Sequence, residues 1–321
     1  MERFEGRIAV VTGGGTGMGR ELVRQLATAG ADVALCDVQP DAMAETVELA
    51  RADGAATRLL TFTADVADAA AMDAFAAAVR DRLPTAHVNL LFNNAGIGGG
   101  GSFVADAPSE WERTFAICWG GVYNGCRSFM PLLLAADAGH VVNTSSVNGF
   151  WASLGPGIPH TAYSAAKFAV KGFTEALIAD FRLNAPHLRA SVVMPGHIGT
   201  SIAINSGRLL GRDPKELTAE QIADVRARMA RAGVDTSPAS DEDLRQIMVA
   251  RAESFRDDAP LTAAQAATII LDGVRADRWR ILVGADAEET DRRVRATPEE
   301  AYEPAFHQQL LADRVFGFTR R

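Results

Sequence analysis

Over its first two-thirds the chain alternates short continuous apolar runs with longer amphipathic stretches. The runs are Arg7–Thr12 (RIAVVT), Asp32–Cys36 (DVALC), Leu59–Thr63, Val88–Phe92, His140–Thr144 and Ala190–Met194, each bounded by turn residues. Unbroken apolar runs of this length predict strands buried on both faces, as in a parallel sheet. Helical patterns lie between them. Leu22, Val23 and Leu26 share one face of the first helix, and Pro40 opens the second at its first turn. Met72, Phe75, Ala76, Val79 and Leu83 form one helical stripe, which Pro84 ends.

Ser109 with Glu112 predicts a capping box for a long helix towards Leu134, and Gly120, Gly121 and Pro131 predict a kink inside it. Another helix is predicted from about Ala162 to Arg182, and Arg280–Val283 reads as a last strand. Strands separated by helices predict an α/β fold: a Rossmann-like, doubly wound parallel sheet with right-handed crossovers. Past Ser201 the apolar stripes thin. Ile222, Val225 and Met229, then Leu244, Ile247 and Met248, are carried by polar helices, with Thr218 and Gln221 as a capping box; Thr262 and Gln265 cap the next helix. The expectation is a single domain over 1–321, with a helical, substrate-covering insertion at 205–260 and a charged C-terminal extension at 284–321.

Composition narrows the function classes. The 321 residues are 48% hydrophobic and 22% charged, which excludes disorder and supplies a large core. A net charge of −8 disfavours a nucleic-acid partner. The sequence holds no apolar run of membrane-spanning length, and MERFEGRIAVV lacks the features of a secretory signal, so a cytoplasmic protein is expected. Cys36, Cys118 and Cys126 are odd in number and form no CxxC, and no HExxH occurs, so neither a disulfide framework nor a metal site is expected. The sequon at Asn143 is expected to be unused.

The candidate chemistry sits where strands give way to helices. Thr12-Gly13-Gly14-Gly15-Thr16-Gly17-Met18-Gly19 follows the first strand and opens the first helix. Backbone N–H groups there can hold a pyrophosphate, and glycine permits close approach. The spacing G-x-x-x-G-x-G matches neither G-x-G-x-x-G nor the phosphate loop of nucleotide triphosphatases, and a tight turn alone also uses glycine. Asp37 ends the second strand, 18 residues after Gly19. A carboxylate there binds ribose hydroxyls and repels a 2′-phosphate. With no Arg or Lys at 38, 39 or 14–18, NAD is favoured over NADP; a plain strand-end turn is the alternative. Asp65 and Val66 are placed to meet an adenine edge or to cap a helix. Asn93-Asn94-Ala95-Gly96 ends the fourth strand, where such sheets bind ligands or simply turn. Tyr163 and Lys167 are four apart on one helix face. A free phenol titrates near about 10, so working near neutrality needs roughly 4 kcal/mol of differential stabilisation, part of which an ammonium supplies. Alone, such a pair is a common surface feature.

Taken together, TGGGTGMG (12–19), NNAG (93–96), YSAAK (163–167) and PGHIGT (195–200) resemble, in type and order, the short-chain dehydrogenases/reductases. The resemblance is firm over about 4–204. It implies that Tyr163 is the general acid/base, that Lys167 lowers its pKa and holds the nicotinamide ribose, and that Ser146, ahead of Val147-Asn148-Gly149, orients the substrate, with Ser145 the lesser choice. It further implies that NAD is bound by Gly13, Thr16, Gly17, Met18, Gly19, Asp37, Asp65, Val66, Asn94, Ala95, Gly96, Tyr163, Lys167, Pro195, Gly196, Ile198 and Thr200. A homodimer or homotetramer is implied too.

Two departures stand out. Aligned on Gly121-Val122, Cys118 occupies the position where the family usually has an Asn that supports a water relay. The loop between Ser146 and Tyr163 is long and carries Phe150, Trp151, Leu154, Pro156 and Pro159; with Ile97, His197 and Ile202 it is expected to border the substrate. His160 reads as loop surface. The expected function is an NAD-dependent interconversion of a secondary alcohol and a ketone, on an apolar or cyclic small molecule. The rival is an NAD-binding regulatory or scaffold protein whose catalysis Cys118 has weakened.

Overall fold

The computed structural model describes residues 3–83, 87–155, 158–231 and 233–315. Pro84 and Pro156 lie outside the described residues. The strands are β1 (Ile8–Thr12), β2 (Asp32–Asp37), β3 (Leu59–Thr63), β4 (Leu90–Asn93), β5 (Gly139–Thr144), β6 (Leu188–Pro195), β7 (Ile198–Gly199), β8 (Leu261–Thr262) and β9 (Arg280–Val283). The helices are α1 (Gly17–Thr28), α2 (Pro40–Ala52), α3 (Ala69–Arg82), α4 (Pro108–Phe115), α5 (Gly121–Leu134), α6 (Thr161–Asn184), α7 (Ile202–Leu209), α8 (Ala219–Arg231), α9 (Asp241–Asp257), α10 (Ala263–Arg275), α11 (Ala285–Ala296) and α12 (Pro304–Ala312).

Seven strands form one parallel sheet in the order β3-β2-β1-β4-β5-β6-β9, and β7 pairs with β8 separately. The strand order reverses between β1 and β4, which opens a crevice at their carboxyl ends. Alternation along β1 divides the core. Ile8 and Val10 face a cluster with Met72, Phe75, Phe129 and Val170, while Ala9 and Val11 face Leu22, Leu26, Met43 and Ile270. Both sheet faces are therefore covered, as the unbroken apolar runs predict. Among the described residues no helix is long and apolar enough to cross a membrane.

The long middle helix departs from its predicted form. It starts at Pro108 behind Ala107, with no side-chain cap, so Ser109 and Glu112 form no capping box. Glu110 instead accepts from the Gly100 N–H at 3.1 Å. The interruption is a π turn at Ala116–Gly120, and α5 runs through Pro131 to Leu134. A Cβ on Gly121 would lie 2.6 Å from Val66 Cγ2, and one on Gly125 would lie 2.1 Å from Asn93 Oδ1. These glycines let α5 lie directly on the strand ends that carry the crevice.

The caps at Thr218–Gln221 and Thr262–Gln265 both form, and Ser240 with Asp243 forms a further one. Leu217, Ile222 and Leu244 make a small apolar cluster of their own under α8 and α9. The C-terminal segment packs on the loop after β5: Val147 and Trp151 share a cluster with Ala287, Ala301, Phe306 and Leu310. A buried pair of Arg280 with Asp291 ties β9 to α11.

Candidate active site

The crevice between β1 and β4 holds a cleft of about 440 Å³, within the range of cofactor sites. Its floor is the turn from β1 into α1. Gly13 and Gly17 adopt φ of +67° and +55°, and a Cβ on Gly19 would stand 2.0 Å from the Gly13 carbonyl oxygen. Only glycine meets those demands. Gly13, Thr16, Gly17 and Met18 line the cleft, and Gly19 lies beneath them.

Asp37 stands at the adjoining wall. Its carboxylate accepts from the Gly15 N–H at 3.0 Å and the Gln39 N–H at 3.1 Å. Burial pushes its pKa up; those N–H groups and the Arg20 charge pull it down. Arg20 was not weighed in the sequence reading, yet its guanidinium is already engaged by Gly15 O, Thr46 and Glu45. Asp65 and Val66 also line the cleft, and Asp65 is shared: Oδ1 accepts from Ala67 N at 2.9 Å, and Oδ2 pairs with Arg113 at 2.5 Å.

Asn94, Ala95 and Gly96 form the opposite side. The Asn94 amide donates to Thr12 O at 3.1 Å, and its Oδ1 is buried without a partner among the described residues. The cleft ends at Gly96 and Ile97. A Cβ on Gly96 would be 3.5 Å from Lys167 Nζ and 3.7 Å from Cys118 Sγ, so the crevice abuts the Lys167 ammonium.

Ser146, Tyr163 and Lys167 converge there. They do not line the open volume themselves. Ser146 begins the single turn after β5, and its Oγ accepts from Asn148 N at 3.1 Å. The Ser146 hydroxyl pulls the Tyr163 phenol's pKa down, and Lys167 Nζ lies 5.3 Å from the phenol ring centroid. The ammonium donates to Thr144 O at 2.8 Å. Burial pushes the phenol up and the ammonium down. Ser145 faces away, donating to Lys167 O at 2.7 Å. Cys118 lies in the π turn, fully buried, its thiol donating to Ile97 O at 3.2 Å.

Several residues sit elsewhere than expected. Thr200 lines the cleft but Pro195, Gly196 and Ile198 do not. Gly196 is covered by the Asp286 carboxylate, which also accepts from His197 N at 2.6 Å. His197 points away from the cleft, its Nε2 bonded to Phe255 O at 2.7 Å and its ring against Phe255. Trp151 is not a pocket residue: it is fully buried, donates to Ala301 O at 2.7 Å and packs on Phe306, because the C-terminal segment offers it an apolar bed. Phe150 packs against the same cluster, and neither it nor Leu154 lines the cleft. Ile97 and Ile202 do line it.

His160 is not loop surface. Its ring packs on Tyr163, with centroids 4.6 Å apart and planes tilted 32°. The sequence reading also missed Arg113, Ile117, Asn205, Arg208 and Leu209 in the cleft wall. Asn205 reaches across to donate to Thr16 Oγ1 at 3.2 Å. Their only sequence signal was position: on the helix that begins at Ile202, on the helix that faces Asp65, or, for Ile117, in the turn that follows it.

The arrangement has counterparts among known proteins. The short chain dehydrogenase family matches residues 7–208. SadH from Mycobacterium tuberculosis is 40% identical over 213 residues, 66% of this chain and 74% of that one. Levodione reductase from Leifsonia aquatica is 31% identical over 228 residues, 70% of this chain and 81% of that one. A short chain dehydrogenase/reductase from Burkholderia phymatum, solved in complex with NAD, superposes with a TM-score of 0.75 at 30% identity, covering 95% of this chain and 98% of that one.

Proposed function

The chain belongs to the short chain dehydrogenase family, and we propose that within it this protein is an NAD-dependent oxidoreductase interconverting a secondary alcohol and a ketone. The observation that carries the reading is the convergence of Tyr163, Ser146 and Lys167 behind Gly96, which lines a dinucleotide-sized cleft. The cleft fits a dinucleotide. Gly13 and Gly17 leave a cradle that side chains would fill, and the orphaned Asn94 Oδ1 is an acceptor awaiting a donor. Gly13, Thr16, Gly17 and Met18 would hold the pyrophosphate, Asp37 the adenosine ribose, and Asp65 with Val66 the adenine. Bound NAD supplies a hydride acceptor and a positive ring charge.

The chain's own residues handle the proton. In oxidation Tyr163 takes the hydroxyl proton as the C–H bond breaks; in reduction it returns that proton to the carbonyl oxygen. Ser146 Oγ orients the same oxygen. Lys167, held by Thr144 O, lowers the cost of the phenolate through space. Ile97 and Ile202 give the cleft apolar side chains, which supports an apolar or cyclic substrate. One relative is named a reductase of levodione, which supports a carbonyl substrate. Exposed Tyr123 on α5, with Phe168 and Leu183 on α6, supports association of copies into a homodimer or homotetramer.

The test is a panel of secondary alcohols with NAD, read by absorbance of the reduced cofactor. Turnover on members of the panel is expected, and NAD binding with no turnover across it overturns the reading. A regulatory or scaffold role is the second reading, favoured by the Cys118 thiol being taken up by Ile97 O. Strong activation by Cys118→Asn would select it.

A further inference from the structure

His160, Tyr163 and Lys167 stand at spacings of three and four residues, so they form one stripe along the first turns of α6. The backbone under His160 is pinned: the Thr161 and Ala162 N–H groups donate to Gly101 O and Gly100 O, both at 3.0 Å. That fixes the imidazole against the Tyr163 ring.

Two buried imidazoles are each held by the protein through Nε2. His140 Nε2 meets Ser191 Oγ at 2.7 Å, and His197 Nε2 meets Phe255 O at 2.7 Å. His160 differs. Among the described residues its ring makes one contact, the aromatic one with Tyr163, and neither ring nitrogen has a hydrogen-bond partner. Burial pushes its pKa down to about 4, so the ring is neutral near pH 7 and offers one N–H donor and one acceptor. Burial alone moves that pKa, and no carboxylate raises it.

The ring is half-buried, so its uncommitted donor and acceptor stand open to a ligand beside the phenol that serves the reacting oxygen. We propose that His160 is a specificity-determining residue that hydrogen-bonds a second oxygen of the substrate, vicinal to the oxygen served by Tyr163 and Ser146. The substrate class is then a vicinal diol and its α-hydroxy ketone rather than a simple secondary alcohol. The inference rests on the oxidoreductase reading above and narrows its substrate.

The experiment compares cyclohexanol with cyclohexane-1,2-diol for the wild type, His160→Phe and His160→Gln. The phenylalanine keeps an aromatic ring beside Tyr163; the glutamine keeps a donor and an acceptor. Wild type should favour the diol in kcat/KM by about tenfold, the scale of one neutral hydrogen bond. His160→Phe should abolish that preference while holding cyclohexanol within about twofold, and His160→Gln should restore part of it. No diol preference in wild type, or an equal loss on both substrates in His160→Phe, overturns the proposal. Calorimetric titration of the diol into NAD-loaded protein separates this inference from its premise. Diol binding weakened about tenfold by His160→Phe, with no turnover in any variant, sustains the His160 assignment and removes the dehydrogenase reading. No diol binding to wild type overturns the assignment outright.

Discussion

The Lys167 ammonium lies 5.3 Å from the centroid of the Tyr163 ring and gives its hydrogen bond to Thr144 O, 2.8 Å away. Lysine thus acts on the phenol through charge. Tyr163→Phe is expected to retain NAD affinity and lose turnover by about 10²-fold or more. Lys167→Met should move the acid limb of the oxidation profile to higher pH, because an uncompensated phenol ionises later. Pre-steady-state and pH–rate measurements check both. Near-normal turnover in Tyr163→Phe would take that residue out of the mechanism.

Asp37 offers a carboxylate where the adenosine ribose is expected, and the nearby Arg20 is engaged by Glu45 and Gly15 O. Discrimination against NADP should therefore be about 10²-fold in kcat/KM, and Asp37→Ser should erase most of it, since a 2′-phosphate no longer meets a carboxylate. Steady-state kinetics with both cofactors decide this; equal use of the two by wild type rejects it.

His140 is buried in β5 with its pKa pushed down to about 4 by desolvation. Ser191 Oγ donates to Arg278 O, so the His140 Nε2 carries the proton in its bond to Ser191. In the unfolded chain the same group titrates near about 6.5. Between those values the unfolded state binds the extra proton. His140 thus costs nothing above pH of about 6.5, and stability falls as pH drops towards about 4, by on the order of 3 kcal/mol. Thermal unfolding across that window should be less pH-dependent in His140→Gln than in wild type. Identical slopes would show that the imidazole is protonated in the fold.

Trp151 and Phe306 meet edge to face at 5.8 Å, and Trp151 donates to Ala301 O. Phe306→Ala should cost about 3 kcal/mol from this cluster. Tryptophan emission should shift to the red and kcat should fall, because the turn after Ser146 loses its bed, while NAD affinity changes little. A fall in NAD affinity as large as that in kcat would mean the cluster supports the whole sheet instead.

Legibility in the sequence followed the range of the interactions. The strands of the sheet were visible because burial on both faces forces unbroken apolar runs such as RIAVVT. The glycine loop was visible because backbone geometry at Gly13 and Gly17 admits few alternatives. Tyr163 and Lys167 were visible because helical spacing fixes their neighbourhood. Trp151 and His197 were misplaced because their partners, Ala301 and Phe255, lie far along the chain and leave no local pattern. His160 was misplaced because a residue before a helix reads as surface until the Gly100–Gly101 backbone is seen holding it inward. Ser109 lost its cap because Pro108 begins the helix one residue earlier.

The indole of Trp151 is anchored 150 residues downstream, whereas the glycine loop and Asp37 sit within the first two strands. During synthesis from the N-terminus the nucleotide cradle can therefore assemble while the last helices are still emerging. The turn after Ser146 cannot be braced until Ala301, Phe306 and Leu310 have been made. A chain clipped before them is expected to keep the glycine cradle while losing the bed under that turn.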